Sequence, residues 1–154
     1  MDKIIGYTTG VFDLFHIGHL NLLKMAKSEC DHLVVGVATD NLIESIKGKR
    51  PIIPLKERLL IVESIKYVDS VVPQKEINEI NDWDLIKFNK IFKGDDWKGS
   101  ERWNNLEIYF HPKGVKVVFF PYTQHTSSTF LRSILEFIAA EQGGNHAIPT
   151  RDGV

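Results

Sequence analysis

Residues 33–38 read Leu-Val-Val-Gly-Val-Ala, an apolar run with no polar residue at alternate positions. A strand that shows one face to water alternates, whereas a strand without alternation is covered on both faces. Such strands belong in a parallel sheet, which needs a crossover, usually a helix, between successive strands. The rest of the chain supplies that rhythm. Strands are expected at residues 3–8, 32–38, 68–73, 90–94 and 115–120. Helices are expected at 17–30, with Leu20, Leu23 and Ala26/Lys27 in a stripe, and at 40–46, capped by Asp40. Others follow at 55–67 through Leu59, Val62 and Ile65, at 82–89, and at 100–113 through Trp103, Leu106 and Phe110, with Gly114 as C-cap. A last helix at 127–141 is expected to turn Phe130, Leu131, Ile134, Phe137 and Ile138 inward.

The alternation predicts an α/β fold: a Rossmann-like open parallel five-stranded sheet with helices on both faces. Residues 1–141 are read as one domain and residues 142–154, with little apolar content and two adjacent glycines, as a flexible tail. The 154 residues, 43% hydrophobic and 25% charged, suffice for one sizeable core. A net charge of -1 offers no bulk field for nucleic acid or an anionic membrane, so any anion site must be local. Cys30 is the one cysteine, which rules out an intramolecular disulfide. With neither a signal-peptide pattern nor an apolar stretch of spanning length, a cytoplasmic protein is expected.

In an open parallel sheet, ligands bind beyond the carboxyl ends of the strands, at the switch point of the strand order. The segment Gly10-Val11-Phe12-Asp13-Leu14-Phe15-His16-Ile17-Gly18-His19 spans the end of the first strand and the start of the first helix. Gly10 allows close backbone approach, and a helix N-terminus favours phosphate. His16 and His19, three apart, share a helical face and aim two donors at one point, which suits charge developing on a transferring phosphate. Gly18 removes a side chain where a phosphate would approach. The same pair is half of a zinc site, but no cysteine or carboxylate cluster stands nearby at matching spacing.

Residues 12–19 resemble the HxGH signature of the cytidylyltransferase-like nucleotidyltransferases. Three further segments occur in the order in which that family carries them. Glu57-Arg58 through Lys66-Tyr67-Val68-Asp69-Ser70-Val71-Val72-Pro73 resembles its arginine-bearing helix and the R-Y-V-D-E-V-I-P-type segment. Lys93-Gly94-Asp95-Asp96-Trp97 resembles the G-D-D-W of the glycerol-3-phosphate cytidylyltransferase branch. Thr123-Gln124-His125-Thr126-Ser127-Ser128-Thr129 resembles the R-T-x-G-I-S-T-T segment before the last helix.

The resemblance implies in-line attack by a substrate phosphate on the α-phosphorus of a nucleoside triphosphate, with pyrophosphate leaving and no covalent intermediate. It implies a catalytic set of His16, His19 and Lys47. Nucleotide-binding residues carried over with it are Gly10, Val11, Phe12, His16, His19, Asp95, Thr123, Ser127 and Ser128. Lys47 and Arg58 are implied at the acceptor's phosphate, with Lys49 or Arg50 as alternatives to Lys47. Asp13 orients the loop or approaches the metal. Magnesium is expected with the triphosphate, without a protein cage for it. Trp83, Trp97 and Trp103 serve either as substrate walls or as core. The implied partners are CTP and a small phosphorylated alcohol, with glycerol-3-phosphate leading to CDP-glycerol, a precursor of cell-surface polysaccharide. A homodimer is implied, and neither nucleic acid nor membrane is expected as a partner.

The chain departs from the pattern at three places. Tyr122 stands for the usual arginine of the R-T-x-G segment, His125 for its glycine, and Lys66 for the arginine before Tyr67. Arg132 and His125 are candidates to replace the missing charge. The loop from Lys47, reading Lys-Gly-Lys-Arg-Pro-Ile-Ile-Pro, also resembles the heptose-1-phosphate adenylyltransferases. Three readings follow: the glycerol-phosphate cytidylyltransferase, an ATP-dependent enzyme acting on a heptose or other sugar phosphate, and a nucleotide-binding module without turnover. Phosphocholine and phosphoethanolamine remain open as acceptors.

Overall fold

The computed structural model describes residues 2–121 and 126–142. Thr123, with Tyr122 and His125, lies outside them, as does the expected tail beyond Gln142. Five strands, β1 (Ile5–Gly10), β2 (His32–Ala38), β3 (Ser70–Gln74), β4 (Lys90–Gly94) and β5 (Lys116–Phe120), form one parallel sheet in the order β3-β2-β1-β4-β5. The helices are α1 (Ile17–Ser28), α2 (Asp40–Lys47), α3 (Leu55–Glu63), α4 (Glu79–Ile86), α5 (Glu101–Phe110) and α6 (Ser128–Gln142). The expected α/β Rossmann-like fold is the one observed.

The apolar run of β2 is divided between two cores. Leu33, Val35 and Val37 pack with Leu23, Ala26 and Val62 of α1 and α3 on one face. Val34 packs with Tyr7, Trp103, Leu106 and Phe110 on the other face, which α5 covers. The first two crossovers therefore run over one face and those around β4 over the opposite face. The order reverses between β1 and β4, where Gly6 stands opposite Lys90 and Thr8 opposite Phe92. The crevice at the carboxyl ends of these two strands is the switch point, and Gly10 and Gly94 stand at its lip.

Local details differ from the sequence reading. α2 is capped by Thr39, whose Oγ1 accepts from the Leu42 amide at 3.1 Å, while Asp40 is its first helical residue. α3 stops at Glu63, four residues short of Tyr67, with Ser64 as its C-cap. α4 begins at Glu79 because Asn78 caps it through the Asn81 amide. The largest correction is α6, which holds no buried residue. Phe130 and Phe137 are 60% and 62% exposed, and Ile134 and Ile138 lie open beside them, so of the stripe expected inward only Leu131 is half-buried and the rest faces outward.

Candidate active site

The turn after β1 is held in an uncommon backbone shape. Phe12 and Leu14 have φ of 54° and 48°, left-handed values that cost non-glycine residues about 1–3 kcal/mol each and persist only where neighbours enforce them. Phe12 is enforced by burial in the α1/α3 core. Asp13 is enforced by two bonds, its Oδ2 and Oδ1 accepting from the Ile52 and Ile53 amides, both at 2.8 Å. Of the two roles open to it, Asp13 has the loop-orienting one here. Ser128, the first residue of α6, donates its hydroxyl to the Asp13 carbonyl. One aspartate thus joins the first turn, the loop after α2 and the start of the last helix.

His16 and His19 form a reciprocal cap on α1. His16 Nδ1 accepts from the Gly18 amide at 3.0 Å, and His19 Nδ1 accepts from the His16 amide at 3.2 Å. Their ring centroids are 3.9 Å apart. Burial and the neighbouring His16 push the His19 pKa down to about 4, and burial lowers that of His16 as well. Near neutral pH both rings are therefore uncharged. Because each Nδ1 accepts, the single ring proton of each sits on Nε2. A Cβ on Gly18 would stand 2.8 Å from His16 Cε1, so what this glycine keeps clear is the imidazole of His16 itself, a sharper role than the space for phosphate expected from sequence.

Three adjoining clefts run along the carboxyl edge of the sheet. The first, about 270 Å³, is lined by His16, His19, Leu22, Met25, Pro121 and Ser127 among others. The second, about 210 Å³, lies under Lys47, Lys49 and Arg132, with Asp13 and Ser128 behind. The third, about 190 Å³, is lined by Gly10, Lys47, Gln74, Glu79, Lys93 and Trp97 among others. Ser128 is shared by the first two, and Val11, Ile43 and Lys47 by the last two. Lys47, the exposed last residue of α2, stands between them and is followed by Gly48 in the left-handed conformation.

The sequence-derived residues fall into place unevenly. His16, His19, Ser127 and Ser128 meet at the first cleft. Ser127 also caps α6, its Oγ accepting from the Phe130 amide at 3.1 Å. Gly10 borders the third cleft and Val11 both the second and the third. Phe12 is 3% exposed and can meet a ligand only through its backbone. Asp95 is exposed on a 3-10 turn, Asp95–Trp97, next to Gly94 of the first cleft. Of the tryptophans, Trp97 is a cleft wall, Trp103 is core, and Trp83 is half-buried with its Nε1 donating to the Phe88 carbonyl.

Arg58 is the main correction among the site residues. Its side chain is fully buried. Nε donates to the Ile53 carbonyl at 2.8 Å, Nη1 to the Val11 and Ala38 carbonyls at 2.7 Å, and Nη2 to Asp40 Oδ1 at 2.7 Å. A guanidinium so engaged does not reach an acceptor phosphate. It clamps the β1 turn, the end of β2 and the loop after α2 from beneath. Arg132 is the opposite case, since the structure places this candidate substitute for the missing arginine in the second cleft. Sequence reading missed Gln74, Glu79, Lys93 and Arg102 of the third cleft. The signal available was a lysine near the carboxyl end of β4, directly after the apolar pair Ile91-Phe92.

The comparisons agree with this geometry. The family model for "Cytidylyltransferase-like" proteins matches residues 7–134, and the chain belongs to that family. It is a nucleotidyltransferase. Over 134 residues it is 37% identical to the glycerol-3-phosphate cytidylyltransferase of Bacillus subtilis (strain 168), covering 86% of this chain and 95% of that one. It is also 44% identical over 97 residues to the ethanolamine-phosphate cytidylyltransferase of Dictyostelium discoideum, covering 62% of this chain and 27% of that longer protein. A solved structure, the lipopolysaccharide core biosynthesis protein from Thermoplasma volcanium GSS1, superposes with a TM-score of 0.66 at 30% identity, covering 81% of this chain and 100% of that one.

Proposed function

We propose that the protein transfers the cytidylyl group of magnesium-bound CTP to glycerol-3-phosphate, releasing pyrophosphate and forming CDP-glycerol. The observation that carries this reading is the shared position of Lys47, on the wall between the second cleft and the third. An ammonium there would touch both the triphosphate and the attacking phosphate, and bringing two anions together is the main obstacle to this reaction. The nucleoside would lie in the first cleft against Leu22, Met25 and Pro121. Its phosphates would extend into the second, toward Lys49, Arg132 and the amides that open α6.

His16 and His19 would donate from Nε2–H to the α- and β-phosphate oxygens as charge moves onto them, and neutral imidazoles can do so without giving up a proton. Ser128 has spent its hydroxyl proton on Asp13, so its part is played by its backbone amide. The Ser127 hydroxyl accepts from an amide and keeps its own proton for a phosphate. Magnesium enters as part of the substrate. Both Asp13 oxygens are already engaged by amides, so the phosphates and water would carry most of its coordination.

The resemblance further supports a homodimer, and the open stripe of α6 supplies an apolar surface for a second copy. The free thiol of Cys30 accords with a reducing cytoplasm.

The test is pyrophosphate release from CTP or ATP with magnesium, each paired with glycerol-3-phosphate, phosphoethanolamine, phosphocholine and a heptose-1-phosphate. CTP with glycerol-3-phosphate is expected to be the fastest pair. A preference for ATP and the heptose phosphate would transfer the assignment to the adenylyltransferase branch, and no release with any pair would leave a binding module.

A further inference from the structure

The third cleft ends, away from Lys47, in polar groups that phosphate chemistry does not require. Gln74, at the end of β3, carries a buried Nε2 that makes no hydrogen bond, although its amide is near enough to act on the Asp82 carboxylate. Lys93, one residue before the end of β4, has its ammonium flanked by the rings of Trp97 at 5.2 Å and Trp103 at 5.8 Å. Among the described residues it makes no hydrogen bond or ion pair. Glu79 is 2% exposed and paired with Arg102, whose side chain is 42% exposed. The cleft therefore holds two donors without a hydrogen-bond partner beside the Glu79 carboxylate, with Asp82 near Gln74 and Asp96 near Lys93.

The chemistry of the missing partner follows from that inventory. An ammonium tail brings only donors, or none when quaternary, and would stand beside Lys93 and Arg102, which repel it. Glu79 already shares its charge with Arg102, which weakens its pull on a further cation. A carboxylate tail would accept from Lys93 and Gln74 but would meet Glu79. A hydroxyl accepts from the two donors and gives its own proton to the carboxylate. Leaving Gln74 unmet is costly, because a buried polar group without a partner bears its full desolvation penalty, while the half-buried Lys93 opens on the cleft. The space, about 190 Å³, is below the roughly 300 Å³ at which drug-sized sites begin, which suits a short chain.

We propose that Gln74, Glu79 and Lys93 form a hydroxyl-reading subsite that admits polyol phosphates and rejects aminoalcohol phosphates. The proposal rests on the assignment of the third cleft to the acceptor. It is tested with the wild type and with Lys93→Met and Gln74→Leu, each checked first for an unchanged circular dichroism spectrum.

With CTP saturating, kcat/KM for glycerol-3-phosphate should exceed that for phosphoethanolamine and phosphocholine by about 100-fold or more, the scale reached when a site built for hydroxyls meets a tail without them. Each variant should raise the glycerol-3-phosphate KM about tenfold or more, near the cost of one lost buried hydrogen bond, while the CTP KM stays within about twofold. Equal use of an aminoalcohol phosphate, better use of 3-phosphoglycerate, or an unchanged acceptor KM in both variants overturns the proposal. If no pair turns over, calorimetric titration of the same phosphates into the protein with CTP and magnesium still ranks the tails, so the subsite and the transferase reading fail separately.

Discussion

The guanidinium of Arg58 lies beneath the site floor, bonded to three backbone carbonyls and to Asp40. Removing it takes the guanidinium from those carbonyls and from the Asp40 carboxylate, which is 15% exposed. Arg58→Ala is expected to lower the unfolding free energy by about 3–5 kcal/mol in urea titrations, the range for breaking a buried pair. A variant that folds normally and only weakens acceptor binding would restore the ligand role.

Gly18→Ala tests the other side of the turn. Its Cβ would press on His16, so turnover should fall about tenfold or more while thermal stability changes little, as read by parallel rate and melting measurements.

His19 links the turn to pH. Its folded pKa of about 4 lies below the ordinary 6.5, so the unfolded chain binds the proton first as pH falls. Stability should therefore be full above about 6.5 and decline from there toward about 4, with His16 adding the same sign. In His19→Asn, which keeps an acceptor for the His16 amide, stability should vary less across that window. An equal slope in the two proteins would assign the decline to other groups.

These residues show what a sequence yields and what it withholds. The histidine pair was legible because its spacing and its place after a strand are local. The fate of Arg58 was not, since a helix arginine looks the same whether it meets solvent or four acceptors, three of them from distant segments.

At the scale of elements, the strands were read most reliably because burial on both faces leaves a mark at every residue. β2 and β4 have the bounds expected from their apolar runs. Helix ends were read less well because caps decide them. Thr39 rather than Asp40 starts α2 and Asn78 starts α4, each through one hydrogen bond that competes with equally plausible neighbours. α6 was misjudged in orientation for a different reason. An apolar stripe shows that a surface is to be covered but does not say by what.

The proposed second copy makes that stripe testable. Phe137→Asp should lower the mass measured by light scattering from dimer toward monomer at micromolar concentration, leaving the circular dichroism spectrum unchanged. An unchanged mass would free the stripe of that assignment.

For the whole molecule, the clefts straddle a boundary. β1, β2 and β3 form one side of the sheet and β4 and β5 the other, joined along Gly6–Thr8 and Lys90–Phe92. A nucleotide in the first cleft would touch His16 on one side and Gly94 and Pro121 on the other. Binding should then stabilise the chain as a unit, by about 2.7 kcal/mol at a hundredfold excess over Kd, seen as a rise in melting temperature with CTP and magnesium. Sequence could announce this arrangement only through motif order, since neither side of the boundary carries a mark of the other.

The same pairing has a consequence for synthesis. β1 emerges from a ribosome well before β4, its partner 84 positions later through the Thr8–Phe92 bond. Until then the strand that bears the histidine turn has one unpaired edge, the kind of edge that recruits foreign strands. The crevice proposed to admit substrate is thus, for a time, an open seam of the nascent chain.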